Sequence, residues 1–160
     1  MRILAIDPGY ERLGVAVVEK LPKQKEKVVY SDCFHTSSKE THAKRLALIA
    51  HEIERVANEY KPDALATETL FFSVNKKTAL LVAEARGTIL STGSRLNLPI
   101  FEYDPSKIKI AVTGHGKSDK NQVIFMVRKL VDFEKQSLDD EYDAIAIGLT
   151  ALATERFNMS

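Results

Sequence analysis

A mixed α/β fold, one five-stranded sheet with helices on its faces, is predicted for this chain by three observations. The first two apolar segments are separated by five residues, Pro8 to Arg12, too few for a helical crossover, so they must pair antiparallel. Later apolar segments at 64–68 and 100–103 alternate with helix-patterned stretches, the layout that adds further strands with helices packed on them. At 160 residues and 44% hydrophobic, the chain can bury one core and is too short to expect two, so residues 1–160 are read as one domain.

The first strand, Arg2-Ile3-Leu4-Ala5-Ile6-Asp7, ends in a charge followed by the turn-making pair Pro8-Gly9. Leu13 to Val18 returns beside it, and Val28 to His35 completes a meander after the lysine-rich turn from Lys20 to Lys27. From Lys39 to Tyr60 the apolar positions Leu46, Ile49, Ala50, Ile53, Val56 and Ala57 recur at helical spacing, and Pro62 ends that helix. Ala64-Leu65-Ala66-Thr67-Glu68 is a short strand that again delivers a carboxylate at its end. Ser73 or Asn75 caps the next helix, which runs to about Leu96, and Ile100 to Tyr103 is the fifth strand. Pro105 begins a helix to Val112, broken by Gly114-His115-Gly116. Ser118 or Asp119 opens a further helix carrying Val123, Met126, Val127 and Leu130, and a last helix extends from about Asp140 to Phe157.

Two strands thus end in carboxylates, Asp7 and Glu68, and the last helix begins among several more. Residues 140 and 143, three apart, present both side chains to one face; Asp139 and Asp143, four apart, would do the same, so spacing leaves 139 and 140 open. Asp139 is read as a helix cap, favourable to the helix dipole, whereas Asp143 begins the run Ala144 to Leu149 and points toward the packed side. Four carboxylates gathered from distant segments predict a divalent-metal site, because hard ions such as Mg²⁺ take oxygen ligands and keep several waters. Phosphodiester hydrolysis is the chemistry such a site serves, two ions roughly 3.5–4 Å apart activating water and relieving charge on the phosphate and leaving oxygen.

Charge sharpens that expectation. The net charge of +1 does not announce a polyanion-binding protein, but residues 105–130 carry six basic residues (Lys107, Lys109, Lys117, Lys120, Arg128, Lys129) against one acid, Asp119. A positive surface beside an acidic pocket suits a metal-dependent enzyme acting on nucleic acid. No apolar run is long enough to span a bilayer and the N-terminus lacks a secretory layout, so a cytoplasmic protein is expected. One cysteine, Cys33, cannot form an internal disulfide and is read as a small apolar strand residue.

Asp7-Pro8-Gly9 with Gly14, Glu68-Thr69-Leu70-Phe71, Glu84-Ala85-Arg86-Gly87, Gly114 to Lys120, and Asp140 to Ile147 occur in an order that resembles the bacterial RuvC family of Holliday-junction resolvases across nearly the whole chain. The resemblance implies an RNase H-like fold, a homodimer, Mg²⁺ with Mn²⁺ able to substitute, and paired symmetric nicks across a four-way DNA junction. By position, Asp7, Glu68, Asp140 and Asp143 match the family's metal-binding carboxylates, which selects 140 over 139. Phe71 matches an aromatic that lies against unpaired bases, where stacking is sequence-tolerant; Asn75, Lys109 and Lys120 match further DNA-facing positions. The family also implies a branch-migration helicase partner.

Ala79 to Ala83 is apolar on more than one helix face, as a segment meeting a second subunit would be and as a deeply buried helix of a monomer would be; the resemblance favours the dimer. The chain carries no basic tail after the last helix, so binding is expected to rely on the sheet face and the 105–130 lysines. Two rival readings stand beside the resolvase. One is a YqgF-type RNase H-like nuclease acting on RNA, which shares the opening Asp-x-Gly hairpin. The other is a catalytically silent protein that binds branched DNA, against which the four carboxylates speak.

Overall fold

The opening aliphatic runs pair as their spacing requires. The computed structural model describes residues 1–70, 76–131, 133 and 138–155. Its elements are β1 (Arg2–Asp7), β2 (Arg12–Glu19), β3 (Lys27–His35), α1 (His42–Tyr60), β4 (Ala64–Glu68), α2 (Lys76–Arg95), β5 (Ile100–Tyr103), α3 (Pro105–Thr113), α4 (Lys120–Leu130) and α5 (Asp139–Thr154). The strand order is β3-β2-β1-β4-β5, with β1, β2 and β3 an antiparallel meander and β1, β4 and β5 parallel. This is the predicted mixed sheet.

Alternation along the strands sorts side chains onto two faces. Leu4, Ile6, Val15, Val17 and Leu65 meet Ile49, Ile53 and Val56 of α1 and Ala85 and Ile89 of α2. The opposite face presents smaller residues, Ala5, Ala16, Ala64 and Ala66 with Ile3 and Val18, to Ala144, Ile145 and Ile147 of α5. Small strand residues let that helix approach closely. A Cβ on Gly148 would lie 2.4 Å from Val18 Cγ2 and 3.1 Å from Ala5 Cβ, so the helix touches the sheet where a side chain would not fit. Beyond α5 lie α3 and α4, contributing Ile108, Val112, Val123 and Val127 to the same core. Every residue of α5 from Ala144 to Leu152 is consequently buried, which explains why its sequence is apolar all round rather than striped.

The helix starts follow local hydrogen bonding. Thr41 caps α1, so that helix begins at His42 rather than Lys39, and Lys61 in the left-handed region closes it before Pro62. Asp104 accepts from the Lys107 N–H at 2.9 Å with Pro105 in the first turn of α3. Of the two candidates for α4, Asp119 is the cap: its carboxylate accepts from the Gln122 N–H and the Gln122 side chain accepts from the Asp119 N–H, both at 2.9 Å.

One reading needs correction. Asp139 does not cap α5. Leu138 occupies that position, its N–H donating to Glu141 Oε1 at 3.3 Å, and Asp139 is the first helical residue. Glu141 is itself buried and accepts from Ser31 Oγ at 2.6 Å, so the helix start is anchored to β3 by a residue inside the first turn rather than by a cap side chain. The helix ends at Thr154, and Phe157 lies outside the described residues, as do Ser73 and Asn75, the proposed caps of α2. Among the described residues no helix is long and apolar enough to cross a membrane.

Candidate active site

The pairing of β1 with β4 brings two carboxylates to one rim. Ile6 is opposite Thr67, so the residues that follow, Asp7 and Glu68, leave parallel neighbouring strands at the same end of the sheet. Both continue the series facing α5, Asp7 after Ile3 and Ala5, Glu68 after Ala64 and Ala66. The first turn of α5 comes down on this rim across β2. Gly14, paired with Asp7, permits the approach: a Cβ there would sit 2.1 Å from the Asp140 carbonyl oxygen and 3.1 Å from Asp7 Cβ. Asp140 and Asp143 arrive beside Asp7 and Glu68 in this way.

The electrostatics show how closely the four are gathered. Burial, followed by Asp143, Glu68 and Asp140, raises the Asp7 carboxyl to about 8, with Lys120 opposing the rise. Burial and then Asp143 raise Glu68 to about 7, against the pull of Lys109. Burial also raises Asp143, opposed by Lys120. Clustered acids in a poorly solvated place resist ionising together, and a cation placed among them removes that resistance.

Two of the four already face side-chain cations. Lys120 Nζ lies 3.2 Å from Asp143 Oδ2 and 3.4 Å from Asp139 Oδ2, and Asp143 with Asp139 holds the lysine above its ordinary value despite burial. Arg12 pairs with Asp140. Asp140 is thereby drawn toward β2 and β3, and Asp143 toward α4. Among the described residues no three histidine, cysteine or acidic side chains converge on one point as a finished metal cage. The set nevertheless fits a hard divalent ion: all its donors are carboxylate oxygens, and such ions complete their shells with water and substrate oxygens.

Next to the carboxylates is a cavity of about 260 Å³ lined by Glu68, Asp143, Lys109, Lys120, Pro105 and Ile108. It joins two acids and two lysines that the sequence singled out separately. Lys120 opens α4 because Asp119 caps it, and Lys109 projects from α3 after the Asp104 cap. Phe71 and Asn75 lie outside the described residues. Asp139 is turned toward Lys120 and solvent, its side chain 60% exposed against 23% for Asp140. His115 is exposed in its loop. Arg12 and Cys33 were not anticipated: the Cys33 Sγ lies 3.6 Å from Asp140 Oδ2, so this strand residue borders the rim as well as the core. The available signal was parity, since Arg12 shares a strand face with Gly14, and Gly14 pairs with Cys33.

A protein-family model described as crossover junction endodeoxyribonuclease RuvC matches residues 3–151. The chain belongs to the RuvC family. The RuvC of Thermosipho melanesiensis is 41% identical over 158 residues, covering 98% of this chain and 100% of that protein. The RuvC of Halothermothrix orenii is 40% identical over 159 residues, 99% of this chain and 96% of that protein. Among solved structures, Thermus thermophilus RuvC in complex with Holliday junction substrate aligns with a TM-score of 0.88 at 30% identity, covering 95% of this chain and 93% of that one. The yeast mitochondrial Holliday junction resolvase shares the fold, with a TM-score of 0.68 at 12% identity over 92% of this chain and 76% of that one. The architecture is RNase H-like, as RuvC membership implies.

Proposed function

We propose that the protein is a structure-selective endodeoxyribonuclease that resolves four-way DNA junctions by paired symmetric nicks, using two Mg²⁺ ions, with Mn²⁺ able to replace them. The observation that carries this reading is the meeting of Asp7, Glu68, Asp140 and Asp143 at one rim beside a cavity lined by Lys109 and Lys120. Family membership supports the substrate class, since its solved relative is described with a Holliday junction.

Divalent ions, when bound, supply Lewis acidity that activates water and relieves charge on the scissile phosphate and the leaving oxygen. The chain's own part is positioning. Asp7 and Glu68 are placed by strand register, while Asp140 and Asp143 are delivered by the first two turns of α5; together they would hold the cations. A cation held there would compete with the protons on Asp7 and Glu68, so affinity for it would rise with pH through the region of about 7 to 8. Lys109 and Lys120 line the same cavity, where they would hold the phosphate. Phe71 stacks on unpaired bases at the junction centre and Asn75 contacts the DNA, roles assigned by their match to the family.

Two copies related by a twofold axis would each cut one of two equivalent strands, which is why a homodimer belongs to the proposal. On α2, Leu80 is 67% exposed and Ala83 partly so, apolar surface available to a second copy, while Leu81 and Val82 pack partly against the core. A branch-migration helicase complex, taken from the family, is the further partner, and the cytoplasm is the proposed compartment.

The test is incubation with labelled four-way junction, linear duplex and structured RNA, each in Mg²⁺ or EDTA. Symmetric nicks confined to the junction in Mg²⁺ are expected. Preferential cutting of RNA would replace the proposal with a YqgF-type activity, and tight junction binding without cutting would leave a silent binding protein.

A further inference from the structure

We propose that Arg12 is a positioning residue that holds Asp140 until a divalent cation takes that carboxylate, and that the freed guanidinium then contacts a DNA phosphate at the rim. The inference rests on the metal-site reading above and concerns a residue which that reading does not use.

Arg12 is the first residue of β2, on the same strand face as Gly14, over which the first turn of α5 descends. Its Nη2 pairs with Asp140 Oδ2, the oxygen that also lies 3.6 Å from Cys33 Sγ. Asp140 is therefore drawn to the β2–β3 side of the rim. Asp143, one helical turn on, is drawn the other way by Lys120 at 3.2 Å. A cation recruiting both helix carboxylates toward Asp7 and Glu68 must compete with these two contacts.

A guanidinium cannot leave by losing its proton, because arginine stays charged at any pH the protein meets. It leaves when another cation neutralises Asp140 and another anion receives the arginine. Arg12 suits such an exchange: its side chain is 47% exposed, and on β3 it is paired with the exposed His35, so it stands at the solvent edge of the sheet. Phosphate is the anion matched by the planar, two-pronged donor geometry of arginine. Cation binding and phosphate binding would then be linked through one side chain, each favouring the other.

The experiment is calorimetric titration of the DNA-free protein with Ca²⁺, for wild type, Arg12→Gln, Arg12→Lys and Asp7→Asn, followed by junction binding across a salt series in Ca²⁺ with strands checked for integrity. Removing a half-exposed competitor should tighten Ca²⁺ binding about two- to five-fold in Arg12→Gln. The same variant should lower the magnitude of the log-affinity against log-salt slope by roughly one unit. Arg12→Lys should keep the wild-type Ca²⁺ affinity while binding the junction less tightly, since it retains the charge but not the fork. Ca²⁺ affinity that depends on Asp7 but is indifferent to Arg12→Gln overturns the inference, as does an unchanged salt slope. Ca²⁺ binding that ignores Asp7→Asn overturns the metal-site reading instead.

Discussion

The two pairs of carboxylates at the rim differ in what faces them. Asp7 and Glu68 end neighbouring parallel strands, set by backbone register, with burial and like charge pushing them up to about 8 and about 7. Asp140 and Asp143 sit in the first two turns of a helix and are paired with Arg12 and Lys120. For the strand pair, burial and like charge outweigh the opposing pull of Lys120 and Lys109; the helix pair stands in direct ion pairs with Arg12 and Lys120. On the proposed metal-site reading, the strand carboxylates are placed by the sheet, while each helix carboxylate gives up a side-chain partner to a cation.

The largest expected effect would erase the difference between the pairs. Asp7→Asn, Glu68→Gln, Asp140→Asn and Asp143→Asn should each reduce junction cleavage on the order of 10³-fold or more while leaving junction binding nearly intact, because in the proposed function the acids hold metal and the lysines hold the DNA. Single-turnover nicking assays decide it, and near-normal cutting by any variant removes that residue from the proposed site.

Gly14→Ala separates the pairs physically. The added methyl would meet the Asp140 carbonyl oxygen at 2.1 Å, so the first turn of α5 must lift from the strand rim. Overpacking of this kind should cost about 1–3 kcal/mol in chemical denaturation, and cleavage should fall with it. Wild-type cleavage in a folded Gly14→Ala protein would mean that close approach of the helix pair is not required.

A subtler contrast lies in stability against pH. Asp7 in the folded protein titrates near 8 rather than at its ordinary 3.8, so between those values the folded state binds more protons than the unfolded. Stability from this group is full below about pH 4 and is lost as pH rises through about 8; Glu68 adds the same trend up to about 7. In EDTA, thermal melts should therefore show Asp7→Asn stabilised by about 0.5–2 kcal/mol at pH 8 and much less so at pH 5. Asp143→Asn should gain less at pH 8, since it also deprives Lys120 of a partner. Equal gains for both would abolish the distinction between acids in direct ion pairs and acids dominated by burial and like charge.

The smallest effect concerns Asp139. It does not cap α5 and its side chain is mostly exposed beside Lys120, so Asp139→Asn should change stability by less than about 0.5 kcal/mol and leave cleavage unaltered. Loss of cleavage in this variant together with an active Asp140→Asn protein would exchange the two assignments.

Local sequence made the strand half of the site legible. An apolar run ending in Asp7 before Pro8-Gly9, and another ending in Glu68, place a carboxylate at a strand terminus wherever those strands lie, and five residues between β1 and β2 left the hairpin no alternative. The helix half was less legible. Asp139, Asp140 and Glu141 are all suited to a first turn, and choosing among them takes the position of the helix start, which Leu138 and the buried Glu141–Ser31 bond decide. The 105–130 lysines were visible as a cluster, yet only packing of α3 and α4 over α5 separates Lys109 and Lys120, which line the cavity, from Lys117, which does not.

The chain by itself determined the opening antiparallel meander, the faces that alternation buries, and the carboxylates that end β1 and β4, because each follows from contacts within or between adjacent segments. Tertiary structure alone decided which acids are shielded from solvent, which are neutralised by Arg12 and Lys120, and how near α5 comes to Asp7. Arg12 and Asp140 are 128 residues apart, and no periodicity records a contact across that distance. Burial and charge proximity are properties of the assembled rim, and the acidities of Asp7 and Glu68 exist only once the sheet and the helix have met.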